Sequence, residues 1–116
     1  MQLIAFYPAA DLEKTRAFYE HLLGLKLVRD QGTCLIFEVA ENAYLGFCEH
    51  LQPIKDLSFI ITLITADVDG AFETLRAAEV LVEGPPSHNE HYGIYHVFAR
   101  DPNGYRLELQ RFDKPL

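Results

Sequence analysis

The side chains best equipped for chemistry gather in the last third of the chain, at His88, Glu90, His91, His96, Arg106 and Glu108. Glu108 has the most constrained setting. Ahead of it, Asp101-Pro102-Asn103-Gly104 reads as a tight turn: Pro102 presets one dihedral, Asp101 and Asn103 can cap backbone groups, and Gly104 accepts a positive φ. The strand that follows sends Leu107 and Leu109 to one side and Arg106, Glu108 and Gln110 to the other. A carboxylate in mid-strand is a ligand or a charge partner. If Arg106 and Glu108 are both buried they should neutralise one another, since an unpaired buried charge is costly. If a ligand reaches them, Glu108 would hold a cationic or hydroxyl group and Arg106 an anionic one.

His88-x-x-His91 matches no metal pattern specific enough to name, and both residues are expected in a solvated or ligand-facing loop, 87–93. His21 and His50 read as surface residues. No Ser/His/Asp arrangement or activated cysteine is visible. Cys34 and Cys48 fall in predicted strands and are expected as reduced core residues rather than a disulfide. A net charge of -7 with no basic stripe excludes nucleic acid as a partner and keeps the domain soluble. No run of ~18 apolar residues marks a membrane span. The start Met1-Gln2-Leu3-Ile4 lacks the basic beginning of a signal peptide, so a cytoplasmic location is expected.

The elements that must position these groups follow from periodicity. Residues 2–7 form a strand stopped by Pro8; Asp11 caps a helix over 11–23 that ends near Gly24; strands follow over 25–28, 33–40 and 43–49. The order then begins again. A strand over 57–65 leads to Asp67, the cap of a second helix whose Val68, Ala71, Phe72, Leu75 and Ala78 hold helical spacing. Glu79 stands where a terminating Gly belongs, and a left-handed conformation there costs about 1 kcal/mol. Strands over 80–83, 94–100 and 106–112 complete the unit, with Gly84-Pro85-Pro86 as a breaker. Laid over one another, the first strands and helix caps of the two halves match at a shift of 56 and the later strands at 61, which sets Phe37 on Phe98, Asn42 on Asn103 and Phe47 on Glu108. The fold class is α+β: one domain, 1–116, of two βαβββ modules (about 1–52 and 57–116) forming a curved mixed sheet with helices on its convex face.

Asp11-Leu12 through Phe18-Tyr19, Leu23-Gly24-Leu25, Asp67-Val68, and Asp101-Pro102-Asn103-Gly104 followed by Leu107-Glu108-Leu109 together resemble the vicinal oxygen chelate superfamily. That group holds glyoxalase I, bleomycin-resistance proteins, fosfomycin-resistance enzymes and extradiol dioxygenases. The resemblance covers nearly the whole chain. It implies paired modules, commonly a homodimer, with a small-molecule site inside the concave sheet. Its metal enzymes hold a divalent Lewis-acid ion through inward side chains of the first, fourth, fifth and eighth strands. Here those places read Ile4, Phe47, Ile60 and Glu108, and alkyl or phenyl groups donate no lone pair. No metal or other cofactor is therefore expected.

The same resemblance turns His96 toward the cavity, as a proton shuttle, as a hydrogen-bond donor to a ligand, or as a partner of Glu108 or Arg106 that closes the cavity floor. The inward set is Phe6, Leu35, Phe37, Phe47, Ile60, Thr62, His96, Phe98, Arg106 and Glu108, with Tyr92 and His91 on a rim hinged at Gly93. Apolar walls with a few convergent polar groups describe a small-molecule pocket. The leading expectation is a metal-independent dimer binding an aromatic or amphipathic molecule in its groove. The alternative is a lyase, isomerase or dioxygenase using a metal or His96 and Glu108 as acid and base; a third reading has the groove binding a protein segment.

Overall fold

Asp11 and Asp67 begin the two helices as their sequence positions demand: Asp11 Oδ1 accepts the Lys14 amide at 3.0 Å and Asp67 Oδ1 the Gly70 amide at 2.8 Å. The computed structural model describes all residues, Met1–Leu116, and the chain divides into two units, Met1–Asp56 and Leu57–Leu116. The first contains β1 (Leu3–Pro8), α1 (Leu12–Arg16) continuing as a π-helical segment (Ala17–Leu22), β2 (Lys26–Asp30), β3 (Cys34–Ala40) and β4 (Ala43–Cys48). Its sheet runs β1-β4-β3-β2, with β1 parallel to β4 and the other pairs antiparallel. The wide turns allow consecutive residues Phe18 and Tyr19 both to be buried. Tyr19 stacks on Phe47 at 4.6 Å and lies 5.9 Å from Phe37, and none of the three rings is exposed.

The second unit repeats this order with β5 (Ile60–Ile64), α2 (Val68–Ala77), β6 (Val82–Asn89), β7 (Ile94–Arg100) and β8 (Arg106–Phe112), its sheet running β5-β8-β7-β6. Val68 and Leu75 of α2 are buried, as is the sheet layer of Ile61, Leu63, Val97, Ala99, Leu107 and Leu109. Each of the Val, Ile and Leu side chains contributes roughly 1.5–3 kcal/mol of burial. Tyr95 ties β7 to α2 through its hydroxyl, which donates to Asp69 at 2.5 Å; that hydrogen bond raises the phenol pKa above its usual value. The architecture is α+β with two βαβββ modules, and no helix is long and apolar enough to cross a membrane.

Three sequence expectations are corrected. The stretch read as a breaker and polar loop is a strand: β6 runs unbroken from Val82 to Asn89, with its register shifting between Glu83 and Ser87. Pro85 and Pro86 are tolerated because β6 is the sheet edge, where a missing amide forfeits no ladder bond. Cys34 and Cys48, expected as free thiols, form a disulfide, because β3 and β4 set them directly opposite with Cα atoms 4.1 Å apart. The module repeat, read at a shift of 61 for the later strands, runs at 62. In β1–β4, Ile4 faces Tyr44 and Phe6 faces Gly46; in β5–β8, Ile60 faces Arg106 and Thr62 faces Glu108. Glu108 therefore corresponds to Gly46 rather than to Phe47. A one-residue slip exchanges the faces of a strand.

The 101–105 turn is held by one side chain. Buried Asp101 accepts the amides of Asn103 at 2.8 Å and Tyr105 at 2.9 Å, while its own carbonyl takes the Gly104 amide at 3.0 Å. Asp101→Ala is expected to cost about 1–3 kcal/mol by orphaning these donors, read as a lower urea midpoint. Glu79 does adopt φ 60 after α2. Glu79→Gly should raise unfolding free energy by about 1 kcal/mol in the same assay.

Candidate functional site

Because Leu107 and Leu109 point into the core beneath α2, the alternation of β8 sends Arg106, Glu108, Gln110 and Phe112 to the helix-free face of the second module. Neighbouring strands add Ile60 and Thr62 from β5 and His96 and Phe98 from β7. Glu108 lies in the middle, with its side chain 10% exposed. Thr62 Oγ1 donates to Glu108 Oε1 at 2.8 Å, straight across the β5–β8 pair. His96 Nδ1 donates to Glu108 Oε2 at 2.6 Å from the diagonal position, since His96 itself faces Gln110. Both carboxylate oxygens are thus satisfied, and the contact fixes His96 with its proton on Nδ1, leaving Nε2 as the ring's available acceptor.

Arg106 does not neutralise Glu108, contrary to the sequence expectation. Its guanidinium lies 3.7 Å above the centroid of Phe98, a cation–π contact, and Glu108 is paired with His96 instead. The His96 ring meets Phe98 edge-on at 5.1 Å, so one chain of contacts runs from Arg106 through Phe98 and His96 to Glu108 and Thr62. A cleft of about 490 Å³ opens on this face, lined by Ile60, Tyr92, His96, Phe98, Glu108 and Phe112 among others. Tyr92 is 70% exposed at the edge, its amide held by Asn89 Oδ1 at 3.3 Å.

The first-module candidates are arranged differently. Phe37 and Phe47, and Leu35 on the same face, are core residues turned toward Tyr19 of the helical segment. The slipped repeat had assigned them to the opposite face. Phe6 is half exposed on the helix-free face, where its ring lies over Gly46. The histidines do not converge. His88, opposite Tyr95, pairs with Asp113 at 2.7 Å, while His96 lies opposite Ser87 on the other face of the sheet. Gln110 and Phe112 line the cleft but were not among the expected ligand contacts; extending the alternation of β8 by two further steps identifies both. A second cleft of about 670 Å³ near the C-terminus has its charges already engaged, Arg111 over Tyr95 at 4.9 Å and Asp113 with His88.

The donor set does not suit the superfamily's divalent ion. With the register corrected, the marked positions read Ile4 and Gly46 in the first module and Ile60 and Glu108 in the second. Three of the four offer no donor atom, and the fourth spends both oxygens on Thr62 and His96.

Comparison with known proteins agrees with this architecture. Residues 3–109 match the Glyoxalase/Bleomycin resistance protein/Dioxygenase superfamily. Lactoylglutathione lyase GLX1 of Arabidopsis thaliana is 29% identical over 118 residues, covering 89% of this chain, which spans only 41% of that relative's length. Among solved structures, TnmS3, an antibiotic binding protein from Streptomyces sp. CB03234, superposes with a TM-score of 0.79 at 25% identity, over 96% of this chain and 94% of its own. A lactoylglutathione lyase from Agrobacterium tumefaciens gives 0.73 at 22% identity, over 96% and 92% of the two chains. A family match across most of its length, the repeated βαβββ order and the helix-free face carrying Glu108 place the chain in the Glyoxalase/Bleomycin resistance protein/Dioxygenase superfamily.

Proposed function

We propose that the protein is a metal-independent binder of an aromatic or amphipathic small molecule. The observation that carries this reading is the cleft itself: apolar walls from Ile60, Phe98 and Phe112 surround a polar row, Glu108 and His96 backed by Thr62, whose internal hydrogen bonds are already made. Such a row fixes a ligand's orientation while the walls supply the affinity. The Arg106 guanidinium, held flat on Phe98, extends a planar surface on which an aromatic ring can stack. The antibiotic-binding neighbour is consistent with this use of the fold. The protein is further proposed to act in the cytoplasm as a homodimer, with neither membrane nor nucleic acid as partner; its net charge of -7 opposes the latter.

A second reading rests on one specific feature. Glu108 holds the His96 ring so that Nε2 stays available beside the cleft, an arrangement suited to a general base in a lyase or isomerase. On that reading Glu108 orients and stabilises the imidazolium formed when His96 takes a proton. Loss of both side chains without change in a measured turnover would eliminate it.

Titration calorimetry with bleomycin and with the aromatic dye anilinonaphthalene sulfonate tests the binding reading. Saturable binding is expected at one or both. Phe98→Ala should weaken it about tenfold or more, equivalent to ~1.4 kcal/mol. No binding of either probe, or affinity indifferent to Phe98, would overturn the assignment. In the free protein, His96→Ala strips the nearly buried Glu108 carboxylate of a hydrogen-bond donor and should lower unfolding free energy by about 1–3 kcal/mol, measured by urea titration.

A further inference from the structure

Cys34 and Cys48 occupy the end of the β3–β4 ladder. The next residues outward, Thr33 and Glu49, share a backbone hydrogen bond, Glu49 amide to Thr33 carbonyl at 2.9 Å. The carbonyls of the cysteines are taken elsewhere, that of Cys34 by the Gln31 amide at 2.8 Å and that of Cys48 by the Ala9 amide at 3.0 Å. The pair therefore sits at a non-hydrogen-bonded position, where facing side chains approach most closely. A structural disulfide at this place needs nothing more. Yet His50, two residues past Cys48 in the exposed turn after β4, turns back so that its Nδ1 lies 3.8 Å from Cys34 Sγ. Donor atoms of Cys34, Cys48 and His50 all lie within 4.8 Å of one another.

We propose that the reduced protein binds a zinc ion through Cys34, Cys48 and His50, as a Cys2His site with its fourth position open to water. Two thiolates and an imidazole at the vertices of a small triangle are the donors zinc prefers. With Zn–S near 2.3 Å and Zn–N near 2.0 Å, a tetrahedral centre sets sulfur and nitrogen roughly 3.5 Å apart. The Cys34–His50 separation of 3.8 Å is close to that already; the two sulfurs must separate, and His50 and Cys48, within 4.8 Å of one another, must adjust by about 1 Å. Reduction supplies this step by thiol–disulfide exchange: a dithiol gives two electrons and two protons to the Cys34–Cys48 bond and itself becomes a disulfide. Zinc then displaces the two thiol protons, which pass to solvent. Disulfide and metal site are mutually exclusive states of the same side chains. His50 is exposed, so an ion has a path to the turn, and both buried cysteines lie at the end of the ladder beside it, where opening of the turn admits the reductant. The site shares no residue with the cleft around Glu108 and does not depend on what that cleft binds.

The test uses the full chain, reduced with dithiothreitol, desalted without oxygen and titrated with zinc against a chromophoric chelator. The reduced protein should bind about one zinc per chain, and the oxidised protein none. Cobalt in place of zinc should give thiolate charge-transfer absorption and the visible bands of a tetrahedral ion. Cys48→Ser should abolish binding. His50→Ala should weaken it at least tenfold while leaving the unfolding midpoint of the oxidised protein unchanged, so this exposed position carries the test if the cysteine variant does not fold. Absence of zinc in the reduced protein, equal affinity in His50→Ala, or a cobalt spectrum without thiolate absorption would each overturn the proposal.

Discussion

A carboxylate cannot be put into the middle of a sheet without partners, and much of the second module follows from Glu108 being there. Removing an isolated charge from water costs several kcal/mol even after relaxation. The neighbouring strands answer that cost with Thr62 directly across on β5 and His96 diagonally across on β7. Neither contact survives a shift of register, because a slip by one residue on any of the three strands sends the partner to the α2 side. The polar row around buried Glu108 therefore specifies the alignment of β5, β8 and β7 as well as furnishing a site. Arg106 is released by the same pairing. With Glu108 satisfied by His96, the guanidinium settles on the ring of Phe98, itself part of the cleft wall.

Local chemistry made much of this fold legible from sequence. Asp11 and Asp67 cap helices because an aspartate just before an apolar helical stripe has amides to accept. Asp101 organises its turn, and Glu79 takes the left-handed position that the end of α2 requires. The placement of Glu108, Arg106, His96 and Phe98 on one face follows from strict alternation on two strands. These inferences share a short range, each needing only a few consecutive residues.

What escaped the sequence was relational. Matching Asn42 to Asn103 by identity gave a repeat shift of 61, whereas the backbone equates Asn42, φ 66, with Gly104, φ 82, the positive-φ residue of each turn. Identity of side chain misled where identity of conformation would have corrected it, and the single residue moved Phe37 and Phe47 to the wrong face. The Cys34–Cys48 bond was hidden for a related reason: two cysteines fourteen residues apart carry no pairing information until the ladder sets them opposite. The prolines of β6 read as a breaker because edge and centre cannot be told apart without the strand order.

The corrected register also shows how the two modules came to differ at one equivalent place. In the first, Gly46 has no side chain, and the Phe6 ring of β1 lies over its backbone; a Cβ there would collide with the ring. In the second, Glu108 stands at the matching position and Thr62, the equivalent of Phe6, donates to it. One module fills the space with a phenyl group, and the other fills it with a charged group that must be hydrogen-bonded. A phenyl group on glycine makes no demand on a third strand, and the β3 residue equivalent to His96, Cys34, is bonded to Cys48 instead. A carboxylate does make that demand, and β7 meets it with His96. The asymmetry of chemistry between two copies of one fold thus reduces to a single position on the strand beside the first, where absence of a side chain in one copy and a carboxylate in the other impose different requirements on every neighbour.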